Sequence, residues 1–274
     1  MIRVLPLLLV CLHSVLSAAE IQWQFEAGDR VIGKPTINVD RIYIAGGKTV
    51  HALAMDGEEL WQRELAGDIA AGITMDEDRL FVHSSVGLHA LTEAGEEIWF
   101  FESPDRGPLV DGRSWGWGNE VLADPWGWYR SSPRVYGETV AFGMSGGVQA
   151  VSKETGELIW QVPLGPVTAD LVLHEDTIVA ACWNNSVYGL DATSGEVRWR
   201  FQGGVPSSKG ADWIGYQGFH LTPLLHDGRV FAGTRATYFY ALDADDGSEA
   251  WSSKVGASWI GSPAVILDEA IYYG

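Results

Sequence analysis

The chain has 274 residues, 46% of them hydrophobic, 11% aromatic and 20% charged, enough apolar material for a large core and too much for a disordered chain. Its 36 acidic residues against 18 basic ones give a formal net charge of −18 and a pI near 4.6. A surface of that sign repels phosphate backbones, which argues against nucleic acid as a partner, and it keeps copies apart by self-repulsion.

The chain opens with an export signature. Met1-Ile2-Arg3 is a short positive start, VLPLLLVCLHSVL is apolar but too short to span a bilayer, and Ser17-Ala18-Ala19 supplies small residues for cleavage before Glu20. Residues 1–19 are therefore expected to be a signal peptide and 20–274 the mature domain. The expected location is the bacterial periplasm or the extracellular space, with no membrane span in the mature chain. Cys11 is preceded by Val10 where a lipidation site calls for a small residue, and the apolar run continues past it. Cleavage leaves Cys182 as the only cysteine, so no intramolecular disulfide can form, and a buried thiol is expected.

From Trp23 onward one unit recurs. HALAMDGEELW ends at Trp61, HALTEAGEEIW at Trp99, AVSKETGELIW at Trp160, YGLDATSGEVRW at Trp199 and YALDADDGSEAW at Trp251, while IQWQFEAG sets Trp23 in the same frame. The basic spacing is about 38 residues with two longer intervals, and periods of this size mark solenoids, propellers or arrays. Each repeat reads as four short strands. A small residue or Pro opens the first (KPTINV, AAGITM, SSPRVY, TADLVL, LTPLLH, SPAVIL), and an alternating apolar run forms the second (DRIYIAG, DRLFVHS, ETVAFGM, DTIVAAC, GRVFAGT). A short loop leads to the third strand, and a Gly turn to the fourth with its Trp. No window carries a helical period of comparable strength. The expectation is an all-β propeller of four-stranded antiparallel blades. Trp23, Trp61, Trp99, Trp160, Trp199 and Trp251 then serve as structural clasps between blades.

AVSKETGELIW is similar to the tryptophan-docking motif of the quinoprotein-type (PQQ-like repeat) propellers, which pairs a leading Ala with Thr-Gly and a Trp at the eleventh position. The Trp61 and Trp99 copies have a turn one residue shorter. The resemblance spans nearly all of residues 21–274 and is closest in character to non-catalytic outer-membrane-assembly lipoproteins of the BamB kind. It implies a fold, and fold does not imply function. In this fold the N-terminal strand commonly completes the last blade. Five complete blades, a lone fourth-strand sequence at Trp23 and an incomplete blade at SPAVILDEAIYYG give the expectation that residues 20–274 belong to a ring of seven or eight blades.

Chemistry-bearing residues cluster where the period breaks. Residues 102–130 hold Trp115, Trp117, Trp126 and Trp128, none in docking register, and residues 203–220 add Lys209, Asp212, Trp213, Tyr216 and His220. Both insertions lie between blades and so rise on one face. The second-to-third-strand loops add Trp183, Asn184, Asn185, Arg235 and Tyr238 to that side. Aromatic rings among Asn, Asp and Arg suit a planar or sugar-like ligand or a peptide segment. The same tryptophans could instead cover the open end of the ring or line a catalytic pocket.

Other motifs carry less. DADDGSE at Asp243–Glu249 departs from a calcium loop in its Gly position and lacks the twelfth-position Glu, so a hairpin turn is expected. His83 and His89 in HSSVGLH lack a nearby third ligand. Gly146-Gly147 and Gly203-Gly204 precede no helix and cannot form a phosphate cradle. Asn184-Asn185-Ser186 matches a glycosylation sequon in a sequence with a bacterial-type leader.

Three functions remain, two of them foremost. One is an exported binding or protein-interaction scaffold for an envelope or secreted protein, or a small planar or sugar-like ligand, with no catalytic residue and no firm cofactor. The other is a PQQ-dependent alcohol or sugar dehydrogenase that uses calcium and whose catalytic residues lie mostly elsewhere. That family's adjacent cysteine pair and catalytic Asp find no match here. A hydrolytic propeller is a third possibility.

Overall fold

The computed structural model describes residues 21–104, 109–111, 119–123, 131–204, 218–235, 237–254, 260–268 and 270–274. Within them every regular element is a β-strand. Blade one comprises β1 (Thr36–Ile37), β2 (Arg41–Gly46), β3 (Thr49–Ala54) and β4 (Glu59–Glu64). Blade two comprises β5 (Thr74–Asp76), β6 (Arg79–Ser84), β7 (Gly87–Thr92) and β8 (Glu97–Glu102). A hairpin of β9 (Leu109–Asp111) and β10 (Val121–Ala123) lies in the first insertion. Blade three is β11 (Arg134–Tyr136), β12 (Thr139–Met144), β13 (Gly147–Ser152) and β14 (Leu158–Pro163). Blade four is β15 (Val172–His174), β16 (Thr177–Cys182), β17 (Ser186–Asp191) and β18 (Val197–Gln202). Blade five is β19 (Leu224–His226), β20 (Arg229–Gly233), β21 (Tyr238–Asp243) and β22 (Glu249–Lys254), followed by the pair β23 (Val265–Leu267) and β24 (Ala270–Tyr272). Each blade is an antiparallel meander in chain order. This is the propeller that the repeats imply.

The core lies between blades rather than at one centre. One apolar cluster joins Tyr43 and Val50 of blade one to Leu80 and Leu91 of blade two, and another joins Phe81 and Leu88 to Val140 and Phe142 of blade three. The series continues with Val148 against Ile178, Val187 against Val230, and Phe239 against Ile260. Blades two to five are thus buried on both faces, which explains why second and third strands are near-continuous apolar runs while fourth strands are mostly exposed.

The docking tryptophans bind these interfaces together. Indole Nε1 of Trp23, Trp61, Trp99, Trp160 and Trp199 donates to the carbonyl oxygen of Met55, Glu93, Lys153, Ala192 and Ala244, each on the following blade, at 3.0, 2.9, 3.1, 3.2 and 3.2 Å. The ring lies flat on the turn glycine of that blade. A Cβ on Gly195 would sit 2.7 Å from the Trp160 ring, and one on Gly156 2.6 Å from that of Trp99. Both glycines also have positive φ, so the turn and the stack require the same residue. In all five blades the ladder shifts register just beside the residue opposite the Trp, a bulge that turns the indole toward its neighbour.

The ends differ from a uniform pattern. Residues 21–27 form no strand, although a fourth strand is expected there, yet Trp23 still docks on blade one. Its indole needs only the Met55–Gly57 turn, whereas a ladder needs a third strand of its own blade. Trp251 is in register and packs on Phe231 and Phe239, but it is 41% exposed and no turn among the described residues receives it.

Candidate functional site

Of the connections expected to share a face, the ends of the second insertion meet the turns of blades four and five. The insertion between blades four and five returns at Gly218–His220, threading between the second-to-third-strand turns of those two blades. The Phe219 N–H donates to the Cys182 carbonyl at 3.1 Å, and the Arg235 N–H donates to that of Gly218 at 3.3 Å. The insertion departs beside the same turns: the Gly203 N–H donates to Asn185 O at 2.9 Å and the Gly204 N–H to the Tyr240 hydroxyl at 2.8 Å.

Side chains here are anchored. Trp183 is 4% exposed, its indole N–H donating to Thr168 Oγ1 at 2.8 Å, with His220 edge-on to its ring. Asn185 takes the left-handed conformation at φ 64° and donates Nδ2 to Gly203 O. Asn184 is the exposed member of the turn, with Nδ2 on Leu164 O at 2.8 Å and Tyr188 Oη at 2.7 Å. Arg235 is buried, and Tyr238 is half-buried, stacked on Tyr240 with Lys254 near its ring. Burial, helped by the positive charge of Arg235, pushes His220 down to about 4, so it is neutral at pH 7. Burial holds Arg235 below its ordinary value and pushes the Cys182 thiol up to about 11.

The second feature of this end is a cavity of about 290 Å³ on the propeller axis, where the first strands of all five blades begin. Lys34, Gly72, Ser132, Asp170 and Thr222 occupy the equivalent position, two residues before each first strand. They are laced in sequence. The Gly72 N–H donates to Ser132 Oγ (3.0 Å), the Ser132 N–H to Asp170 Oδ1 (2.8 Å) and the Asp170 N–H to Thr222 Oγ1 (3.1 Å). Lys34 Nζ reaches across to 4.0 Å from Asp170 Oδ2. Thr168, beneath Trp183, and His220 complete the polar part of the wall.

Of the residues singled out in the sequence, Trp183, Asn184, Asn185, Arg235, Tyr238 and His220 are brought to this end. Trp115, Trp117, Trp126, Trp128, Lys209, Asp212, Trp213 and Tyr216 lie outside the described residues. His83 and His89 do separate jobs, the first bonded to Ser131 O and the second to Glu97. Asp243–Glu249 is a hairpin turn, closed by the Gly247 N–H on Asp243 O. Sequence reasoning missed the axial residues Lys34, Ser132, Thr168, Asp170 and Thr222. Their signal was the polar or small residue at the head of each first strand, which the repeat pattern presents as mere punctuation.

A calcium-bound quinone does not fit this wall. Calcium takes six to eight oxygen ligands, and the axial cavity offers one carboxylate, already bonded to the Ser132 N–H and facing Lys34. Among the described residues no three His, Cys, Asp or Glu side chains are gathered to hold a metal.

Comparison with family models places the sequence. The model described as "Outer membrane protein assembly factor BamB" matches residues 14–163 and 144–272. The chain belongs to the BamB family. Comparison with curated proteins gives no match. Among solved structures, BamB from Moraxella catarrhalis is similar with a TM-score of 0.72 and 17% identity, covering 93% of this chain and 74% of that one. A quinohemoprotein alcohol dehydrogenase from Comamonas testosteroni matches at TM-score 0.59 and 16% identity over 82% of this chain and 43% of its own. A europium-containing methanol dehydrogenase matches at 0.61 and 16%, over 86% and 53%. At these identities the structural likeness is one of fold alone, and the chain spans about half the length of the dehydrogenases.

Proposed function

We propose that this BamB-family propeller is an exported scaffold of the cell envelope that binds another protein through its insertion-bearing face. The family match carries the reading. Export rests on the sequence of residues 1–19, which lie outside the described residues. Support for the face comes from topology: both insertions leave a fourth strand and enter a first strand, and the second returns between the turns of blades four and five. Long insertions rich in aromatic residues on an otherwise regular frame are where a scaffold gains specificity. By sequence, Trp115, Trp117, Trp126, Trp128 and Trp213 supply aromatic anchors of the kind that dominate protein interfaces, and Asn184 is exposed at the turn of blade four.

The test is site-directed photo-crosslinking from the first insertion in envelope extracts, followed by binding measurements with the purified partner. Trp117→Ala and Trp128→Ala are expected to weaken that binding with the melting temperature nearly unchanged. A large fall in melting temperature without loss of affinity would show that the tryptophans cover the ring end instead. Retention of pyrroloquinoline quinone after incubation with calcium and dialysis, with dye reduction by alcohols or sugars, would overturn the scaffold reading.

A further inference from the structure

The axial cavity has hydrogen-bonding groups that the scaffold leaves in a defined state. A hydroxyl carries one proton and two acceptor lone pairs. Ser132 Oγ, Thr222 Oγ1 and Thr168 Oγ1 each accept an N–H, from Gly72, Asp170 and the Trp183 indole respectively. No acceptor for any of the three hydroxyl protons is found among the described residues. Accepting fixes the oxygen and leaves the proton to donate at the cavity wall.

Asp170 is the complementary group. Its Oδ1 takes the Ser132 N–H, while Oδ2 lies 4.0 Å from Lys34 Nζ, beyond hydrogen-bond distance. The side chain is 20% exposed, whereas Lys34 is 83% exposed and free to swing into solvent. The lining side chains carry one ammonium and one carboxylate, His220 adds no charge near pH 7, and the buried Arg235 stands behind His220. The lining alone therefore gives little net attraction to an anion or a cation. A zwitterion would have to separate Lys34 from Asp170.

We propose that the axial cavity binds a small neutral polyol of monosaccharide size, with Asp170 Oδ2 as acceptor and the hydroxyls of Ser132, Thr168 and Thr222 as donors. Vicinal hydroxyls both donate and accept, matching this mixture. A volume of about 290 Å³ lies at the small end for ligand sites. Ile32, Leu221 and Pro263 supply apolar wall for the C–H faces of such a molecule. Gly72 is required on the same ground, since a Cβ there would lie 2.9 Å from Ser132 Oγ and push it off its N–H partner. The site does not require a partner protein, although Thr168 and His220 join its wall to the insertion face.

The test is ligand-observed NMR and calorimetry on the full chain with D-glucose, myo-inositol and glycerol, with sodium phosphate and glycine as charged controls. At least one polyol is expected to bind and the controls not to. Asp170→Asn keeps an acceptor for the Ser132 N–H but replaces the carboxylate, and should weaken binding about tenfold or more. Thr222→Val should weaken it several-fold and Thr222→Ser restore it. Since Thr222 Oγ1 also accepts the Asp170 N–H, direct donation is separated from a structural role by deoxy-glucose analogues, one of which should bind the Thr222→Val chain and the unaltered chain alike. Glu196→Gln, on an outer turn, should change nothing. The proposal is overturned if no polyol binds at saturating millimolar concentration. It is equally overturned if phosphate or glycine binds in preference, or if Asp170→Asn and Thr222→Val bind as tightly as the unaltered chain.

Discussion

The clasp between neighbouring blades makes a quantitative claim about one pair of residues, Trp160 and Gly195. Trp160 is 7% exposed, donates its indole N–H to Ala192 O at 3.2 Å and lies flat on Gly195. Trp160→Ala removes that ring and should cost about 3–5 kcal/mol. Gly195→Ala meets two obstacles. Its φ of +74° is disfavoured for any residue with a Cβ, at about 1–2 kcal/mol. The new methyl would also lie 2.7 Å from the indole, and such overpacking costs about 1–3 kcal/mol more.

These costs do not add. Once the indole is gone, the alanine keeps its backbone penalty and a residual contact with Val162 but loses the collision with the ring. The double-mutant cycle should therefore show a coupling of about 1–3 kcal/mol, with the second substitution cheaper in the Trp160→Ala background. Gly137→Ala is the control, because Gly137 has φ +52° and nothing within 4 Å of its would-be Cβ, so only the backbone penalty applies. Urea denaturation followed by fluorescence and circular dichroism reads all four species, with unchanged m-values licensing the comparison. If Gly195→Ala costs the same with and without Trp160, the stack is not why glycine stands there, and the clasp argument fails.

Further outcomes follow from the same structure. His220 is held down to about 4 in the folded chain, whereas an unfolded imidazole titrates near 6.5. The unfolded chain therefore binds more protons between those values, so the stabilisation is fully present above about pH 6.5 and is lost as pH falls through 4. His220→Gln should flatten the slope of melting temperature against pH across that window; an unaltered slope would refute the assignment. Cys182, pushed up to about 11 by burial, should resist alkylation at pH 8 in the native chain and react on unfolding. Mass spectrometry of the Cys182 peptide checks this, and rapid native labelling would contradict the burial.

The fold was legible in the sequence because its determinants are local and repeated. A Trp in register, a glycine at the turn and an apolar pair of inner strands recur in each blade, and each follows from a contact made between adjacent blades. The candidate site was only partly legible. Trp183, Arg235 and His220 stood out as departures from the pattern, but the sequence could not show that their side chains are anchored in the protein. Asp170 and Thr222 were hidden for the opposite reason. Each sits at a regular position, and its significance arises only when the axis brings five such positions together.

That contrast separates two kinds of repeat position. At the outer edge the residue is constrained by its neighbour to remain Trp or Gly, because the indole and the turn fill one space. At the axis the equivalent residues are Lys34, Gly72, Ser132, Asp170 and Thr222, and five different side chains occupy one structural role. Only Gly72 is sterically compelled, by its approach to Ser132 Oγ. The oxygens of Ser132, Asp170 and Thr222 already serve the fold by accepting the backbone N–H groups of Gly72, Ser132 and Asp170, but that role leaves the hydroxyl protons and Asp170 Oδ2 without a structural task among the described residues. The diversity at the axis is therefore where a ligand-directed explanation has most to explain. Thr222→Val, which keeps the bulk and removes the hydroxyl, and Thr222→Ser, which keeps the hydroxyl and removes a methyl, decide with the deoxy-glucose series whether it is needed.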